Sequence, residues 1–299
     1  LTKKQAQWPQ FAYWLQARAY WQNRGKENLG QLFAWLERIT IAKPNANNKK
    51  LLIQAANILP LQPIRFYWQQ QLISIAELKA KIANKHVNPE GNAKPVVFIV
   101  DHDTGDQPGQ WQLHQQLCQS QWQCVSVLAG WGKPSEQAIE FIRSIASTRP
   151  LALIVLQDFV IGGGEGREAV TQKFKALNIP VFKGIRVTEL SALAYQLSPT
   201  GLPSDSVHYR VAMPELQGVS QPHVLALASN AKLDAATGAR LSISQVLSKE
   251  VERLQARVND WLALQTSENA EKKVAIVYYN HPPGRHNIGA DNLDVQQSL

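Results

Sequence analysis

Apolar positions along the 299-residue chain follow two different periods. Up to about residue 90 they recur every three or four positions: Trp8, Phe11, Trp14, Leu15 and Trp21, then Leu29, Leu32, Phe33, Leu36 and Ile39. That spacing predicts amphipathic helices, punctuated by Asn45–Asn48, Pro60 and Pro63. A further helix is expected over 64–83, with Phe66, Tyr67 and Trp68 as packing rings. The stretch Asn88–Asn92 reads as a linker.

From Pro95 the texture changes. Val96–Val100 is a continuous apolar run of strand length, the pattern of a strand buried on both faces. Alternation follows: helix 110–118, strand 123–128, helix 135–146, strand 151–156, helix 166–177 and a short strand 180–182. Strands alternating with helices of 10–15 residues predict βαβ units and a parallel sheet, with ligands at the carboxyl ends of the strands. The fold class expected is therefore α/β, one or more flavodoxin-like parallel-sheet domains preceded by an all-helical N-terminal region. Beyond it, 188–195 reads as a helix, 207–212 as an edge or final strand, and 241–264 as a long helix. The buried run Val274–Tyr279 opens another βα unit that stops at Leu299. The expected organisation is a helical region 1–90, an α/β domain 91–220, a connecting segment 221–270 and the truncated start of a further α/β domain at 271–299. The chain is thus expected to be the front portion of something larger.

Composition narrows the classes. The chain is 44% hydrophobic with nine tryptophans, too apolar for a disordered segment, yet no apolar run reaches the length of a membrane span. Two cysteines, Cys118 and Cys124, fit neither a CxxC redox motif nor a zinc knuckle, and two buried thiols are the expectation. The net charge of +8 favours acidic partners, but the lysines and arginines are dispersed and no nucleic-acid-binding motif is present. A small polyanion suits this balance better than nucleic acid.

Three segments carry candidate chemistry. Asp101-His102-Asp103 follows the first strand of the α/β region; in an extended chain only Asp101 and Asp103 face the same way, and a hydrogen-bonded loop is the preferred reading. Gly162–Gly166 has the glycines of an anion-binding turn but not the dinucleotide spacing, so a plain turn is preferred. The C-terminal loop is the richest. After the strand come Asn280, His281, Pro282, Pro283, Gly284, Arg285, His286, Asn287 and Gly289, a run dense in hydrogen-bond donors. His281 and His286 could ligate a metal transiently, or cap helix ends and bond backbone in a proline-rich turn. Arg285 could face a carboxylate or remain a solvated cation.

This stretch resembles the strand–loop signature of the large subunits of tetrapyrrole metal chelatases, namely the CobN cobaltochelatase family and the related magnesium chelatase H subunit. The matching residues are Ala275-Ile276, Tyr279-Asn280, Pro282-Pro283-Gly284, Asn287-Ile288-Gly289, Leu293-Asp294-Val295 and Ser298-Leu299. Two upstream echoes, Pro214-Glu215 with Gly218 and Asn269–Lys273, stand in the order that family would place them. The resemblance implies a ligase-type enzyme subunit that binds the macrocycle and the metal while an AAA+ ATPase complex and adaptor subunits hydrolyse ATP. The expected reaction is insertion of Co²⁺ into a corrin-type ring in cobalamin biosynthesis, or of Mg²⁺ into protoporphyrin, in the cytoplasm. Asn280, His281, Arg285, Asn287 and Gly289 are then candidates for substrate binding, and His281 and His286 for metal contact; no catalytic residue is assigned. No GxxxxGK[ST] phosphate-binding loop occurs, so ATP hydrolysis is expected elsewhere. Two other readings remain: a CobN-like protein that removes metal from haem-like rings, and a non-catalytic anion-binding module of flavodoxin-like or periplasmic type.

Overall fold

The computed structural model describes residues 9–23, 25–41, 58–60, 62–83, 94–102, 107–145, 151–236 and 238–275. Two helices, α1 (Pro9–Asn23) and α2 (Gly25–Ile41), lead the chain and pack through Tyr20, Leu32 and Trp35. The rest is built on an eight-stranded sheet. In chain order its strands are β1 (Ile64–Trp68), β2 (Gln71–Ile73), β3 (Val96–Asp101), β4 (Gln123–Ala129), β5 (Leu151–Val155), β6 (Val181–Ser191), β7 (Ser220–Ala228) and β10 (Ser244–Val246). The short strands β8 (Lys232–Leu233) and β9 (Arg240–Leu241) pair with each other in a separate ribbon.

Across the sheet the order is β10-β7-β6-β5-β3-β4-β1-β2. The five strands β4-β3-β5-β6-β7 are mutually parallel, which is the doubly wound 2-1-3-4-5 order of flavodoxin-like folds. β3 lies at its centre and is buried throughout. Val96, Phe98 and Val100 enter one core with α5 (Lys133–Ile145) and α6 (Gly163–Leu177); Val97 and Ile99 enter the other with α4 (Gln107–Leu117) and α10 (Ser248–Thr266). Burial on both faces is what makes Val96–Val100 uniformly apolar.

The expectation of a helix over 64–83 is corrected in its first half. β1 and β2 form a hairpin, and β1 pairs antiparallel with β4. Successive aromatics on a strand face opposite ways: Phe66 packs on Phe141 at 4.5 Å, whereas Tyr67 packs on Trp111 at 4.8 Å. Gln69 and Gln70 both take left-handed backbone (φ 49° and 65°), the requirement of the tight turn that matches strand twist. The helix proper, α3 (Ile75–Ala83), starts at a capping box: Ser74 Oγ accepts from Glu77 N (3.2 Å) and Glu77 Oε2 from Ser74 N (2.7 Å).

Other expectations shift for similar reasons. The strand expected at 180–182 runs on to Ser191, so residues 188–191 are strand and α7 is only Ala192–Leu197. The strand expected at 207–212 is instead α8 (Ser204–Val207) followed by a π-helix, His208–Ala212, and α9 (Met213–Leu216), because Arg210 and Tyr209 are held by tertiary partners. The helix expected from 241 begins at Ser248, since residues 244–246 pair with β7. Ser220–Ala228, expected within a connecting segment, is a full parallel strand of the sheet. Cys118 and Cys124 are not free thiols but a disulfide; the α4–β4 turn brings their Cα atoms to 5.8 Å, inside bonding range.

Three side-chain amides act as stand-in peptide groups. Gln217 accepts from Ile161 N (2.8 Å) and donates to Ile161 O (2.8 Å). Gln265 does the same with Leu151 (3.0 and 3.0 Å), and Asn28 with Leu59 (3.0 and 2.8 Å). Each satisfies a backbone donor and acceptor where regular pairing stops.

Candidate functional site

In this strand order the switch point lies between β3 and β5, whose following helices cover opposite faces. The carboxyl ends of the strands there carry a dense polar cluster. Asp101, the last residue of β3, is fully buried, and an isolated carboxylate could not remain so. Arg186, on β6, reaches over the shorter β5 and grips it with both guanidinium nitrogens, at 2.6 and 2.7 Å. Gln110 Nε2 (2.7 Å), His114 Nε2 (3.0 Å) and the backbone N of His102 (2.7 Å) donate to the same carboxylate. Burial pushes the Asp101 carboxyl up, but the Arg186 charge and the His114 and Gln110 hydrogen bonds outweigh it and hold the group well below the ordinary carboxylate range.

The network extends both ways. His114 is an inner link, since its Nδ1 meets Ser126 Oγ at 2.8 Å while Nε2 meets Asp101. Gln157 Nε2 donates to Ala129 O (2.8 Å) and Asp101 O (3.3 Å), tying together the ends of three strands. Lys183, buried in β6, donates to Gln157 O (2.7 Å) and Asp158 Oδ1 (3.2 Å). Burial pulls its ammonium below the ordinary lysine range, and Asp158 opposes that. Arg210, from the π-helix, bonds both Asp158 (3.3 Å) and Glu189. Phe159 stacks on Tyr209 at 4.8 Å, and Phe159 N donates to Tyr209 O at 2.8 Å, which pins the π-helix to the end of β5.

Three carboxylates here meet three strong bases, so the cluster is internally neutralised. Both Asp101 oxygens are occupied by donors; it positions the strand ends rather than offering a metal ligand, in line with the hydrogen-bonded reading of this loop. Asp103 lies outside the described residues. His102 is half-buried, and burial lowers its pKa despite the pull of Asp101 and Asp158, which favours the neutral imidazole. Among the described residues no group of three His, Cys, Asp or Glu side chains is arranged to hold a metal ion.

The glycine turn opens a second recess of ≈ 550 Å³ between α5 and α6, overlooked by the exposed Trp131. Gly162 takes left-handed backbone (φ 85°), and its N–H donates to Ser135 Oγ at 2.9 Å. Glu136 and Glu165 line this recess beside Lys133, and hydrogen bonds from Lys133 and Lys173 hold Glu136 ionised, which suits the plain-turn reading better than an anion site. The Pro214–Gly218 element clasps the same turn through Gln217, with Gly218 in left-handed backbone (φ 98°).

Of the candidates chosen from the sequence, Asn280, His281, Arg285, His286, Asn287 and Gly289 lie outside the described residues, as does the strand Val274–Tyr279 beyond Ala275. Arg186, Lys183, Gln157 and Arg210 were not singled out. The available signal was Lys183 and Arg186 inside the otherwise apolar run Val181–Val187, two cations that a buried strand must neutralise.

Comparison with known proteins gives a consistent picture. A family model described as CobN/Magnesium Chelatase matches residues 18–299. Magnesium-chelatase subunit ChlH, chloroplastic, from Oryza sativa subsp. indica is 31% identical over 152 residues, 50% of this chain and 10% of that protein; the japonica sequence matches equally. The catalytic subunit of cobaltochelatase from Mycobacterium tuberculosis has the same fold over 92% of this chain and 21% of its own length, with a TM-score of 0.61 at 16% identity. The chain thus spans about a tenth of the length of the curated relatives it matches.

Proposed function

Because the chain belongs to the CobN/magnesium chelatase family, we propose that it is part of a chelatase large subunit that binds a tetrapyrrole during metal insertion. The observation that carries this reading is the family match over 18–299, which includes the proline–glycine signature after Ala275. In the first reading, Co²⁺ enters a corrin-type ring in the cytoplasm, driven by ATP hydrolysis on AAA+ partner subunits.

The chemistry asks three things of the protein. Ring carboxylates need cationic partners, which suits a chain of net charge +8 and assigns Arg285 to one of them. Ring N–H protons must leave, and the incoming aqua ion must shed water onto transient ligands; His281 and His286 are the assigned candidates. The loop must approach the ring closely, which Gly289 permits.

A second reading keeps the fold and changes the cargo. The curated relatives at 31% identity are magnesium-chelatase subunits, which favours Mg²⁺ and protoporphyrin. Titrating corrin-type and porphyrin carboxylates, followed by ring absorbance, separates the two. Arg285→Ala is expected to weaken the preferred ring about 10- to 150-fold, the loss of one charge-assisted hydrogen bond of ~1.5–3 kcal/mol. Equal affinity in both proteins removes this loop from the ring site, and absence of binding to either ring overturns the proposal.

A further inference from the structure

On the face of the sheet covered by α4, opposite to the glycine turn, a cleft of ≈ 810 Å³ runs between α4, the Gln69–Gln70 turn and the amino end of β4. Its wall contains both Cys118 and Cys124, each half-buried, and its floor contains His114 and Ser126. Lys81 and Lys94 line it, and no carboxylate does among the described residues. We infer that the Cys118–Cys124 bond is a reversible thiol–disulfide exchange site, reduced through this cleft by a dithiol of a partner protein or a small dithiol.

Three observations carry this. First, both half-buried cysteines line a cleft of ≈ 810 Å³, and partly exposed disulfides are the ones open to attack by a thiolate. Second, the segment the bond spans is anchored without it. Gln255 Nε2 donates to Gln116 O (2.7 Å) and Leu117 O (3.1 Å), Asn259 Oδ1 accepts from Trp122 Nε1 (2.8 Å), and Asn259 Nδ2 donates to Gln119 Oε1 (3.1 Å). Opening a bridge only six residues apart therefore leaves both ends of the turn held to α10. Third, the cleft is lined by Lys81 and Lys94 and by no carboxylate among the described residues, a charge balance that favours a thiolate leaving group.

The exchange balances. A thiolate of the dithiol attacks one cysteine sulfur, the S–S bond breaks, and the other sulfur leaves as a thiolate and takes up a proton. The second thiol of the reductant then attacks the mixed disulfide, releasing the remaining cysteine. Two electrons and two protons pass to Cys118 and Cys124, and the reductant closes its own disulfide. These 299 residues hold no third cysteine, so re-oxidation within them can restore only this pair.

The test uses dithiothreitol as the reductant, with iodoacetamide trapping and intact-mass readout in native buffer and in denaturant. Reduction through the cleft is expected in native buffer at a rate within about tenfold of that in denaturant. A bond reached only through global unfolding would be reduced ~10³-fold or more slowly in native buffer, because the unfolded population is that small. Oxidised glutathione should then close the pair again, with both alkylation sites lost. Three results overturn the inference: two labelled cysteines in air-equilibrated protein before any reductant, reduction confined to denaturant, or a Cys118→Ser/Cys124→Ser variant that no longer unfolds cooperatively.

Discussion

Replacing Arg186 with methionine keeps most of the side-chain volume and removes the charge that permits Asp101 to be ionised in the core. Asp101 is fully buried and Arg186 nearly so, so solvent screens the pair little. Removing one partner of a buried ion pair typically costs about 3–5 kcal/mol, because the other is left uncompensated. At 2–4 °C per kcal/mol for a domain of this size, the melting temperature should fall by roughly 6–20 °C at pH 7. The sign of the pH dependence should also reverse. In the parent protein the Asp101 carboxyl titrates lower folded than unfolded, so its contribution is present above about pH 4 and is lost on acidification. In Arg186→Met burial is no longer outweighed by that charge, and the folded pKa rises above the unfolded one. Its contribution is then retained at low pH and lost as the pH rises through the new folded value. The gap between the two proteins should accordingly be wide at pH 7 and narrow towards pH 4, and Asp101→Asn in the Arg186→Met background should recover much of the loss. Thermal and urea unfolding by circular dichroism at both pH values measure this. A loss below about 1 kcal/mol at pH 7, or a gap unchanged at pH 4, would refute the reasoning.

Two further outcomes follow from packing and from motif content. An added Cβ at Gly184 would press on the δ-methyl groups of Leu156 and Leu225, so Gly184→Ala should overpack the core by about 1–3 kcal/mol, read as a lower urea midpoint at unchanged slope. With no phosphate-binding loop of the GxxxxGK[ST] type, the chain alone should release no phosphate from ATP in a coupled assay, with or without macrocycle and metal; measurable turnover would place an ATPase site in this chain.

Where the sequence was legible, one periodicity dominated. Val96–Val100 and Leu151–Leu156 could only be strands covered on both faces, and the helices between them followed from spacing. Ile64–Trp68 was misread because three consecutive aromatics satisfy a helical stripe and a pleated strand alike; only pairing with β4 decides, and that partner lies some sixty residues away. Val207–Ala212 looked like a strand by composition, yet Arg210 is held by Asp158 and Glu189 in a π-helix. The Cys118–Cys124 bond depends on how α4 turns into β4, which six residues of spacing do not reveal. The carboxyl-edge cluster was half visible. Asp101 and His102 stood out as polar residues ending a strand, whereas Arg186 joins them only through the order of the strands. The family signature was read from residues 275–299 directly and rests on no packing argument.

The three amide clasps, Gln217 on Ile161, Gln265 on Leu151 and Asn28 on Leu59, carry no charge. Acid and salt therefore leave them untouched, while the ionic lattice loses its attraction as Asp101 and Glu189, both held ionised by their basic partners, take up protons. The molecule is fastened by two kinds of stitching with different solvents of failure. On acidification the seam at the carboxyl edge should part while the clasps at the α2 helix, the glycine turn and the end of α10 stay closed, so that acid loosens one rim of the sheet ahead of the frame that carries it.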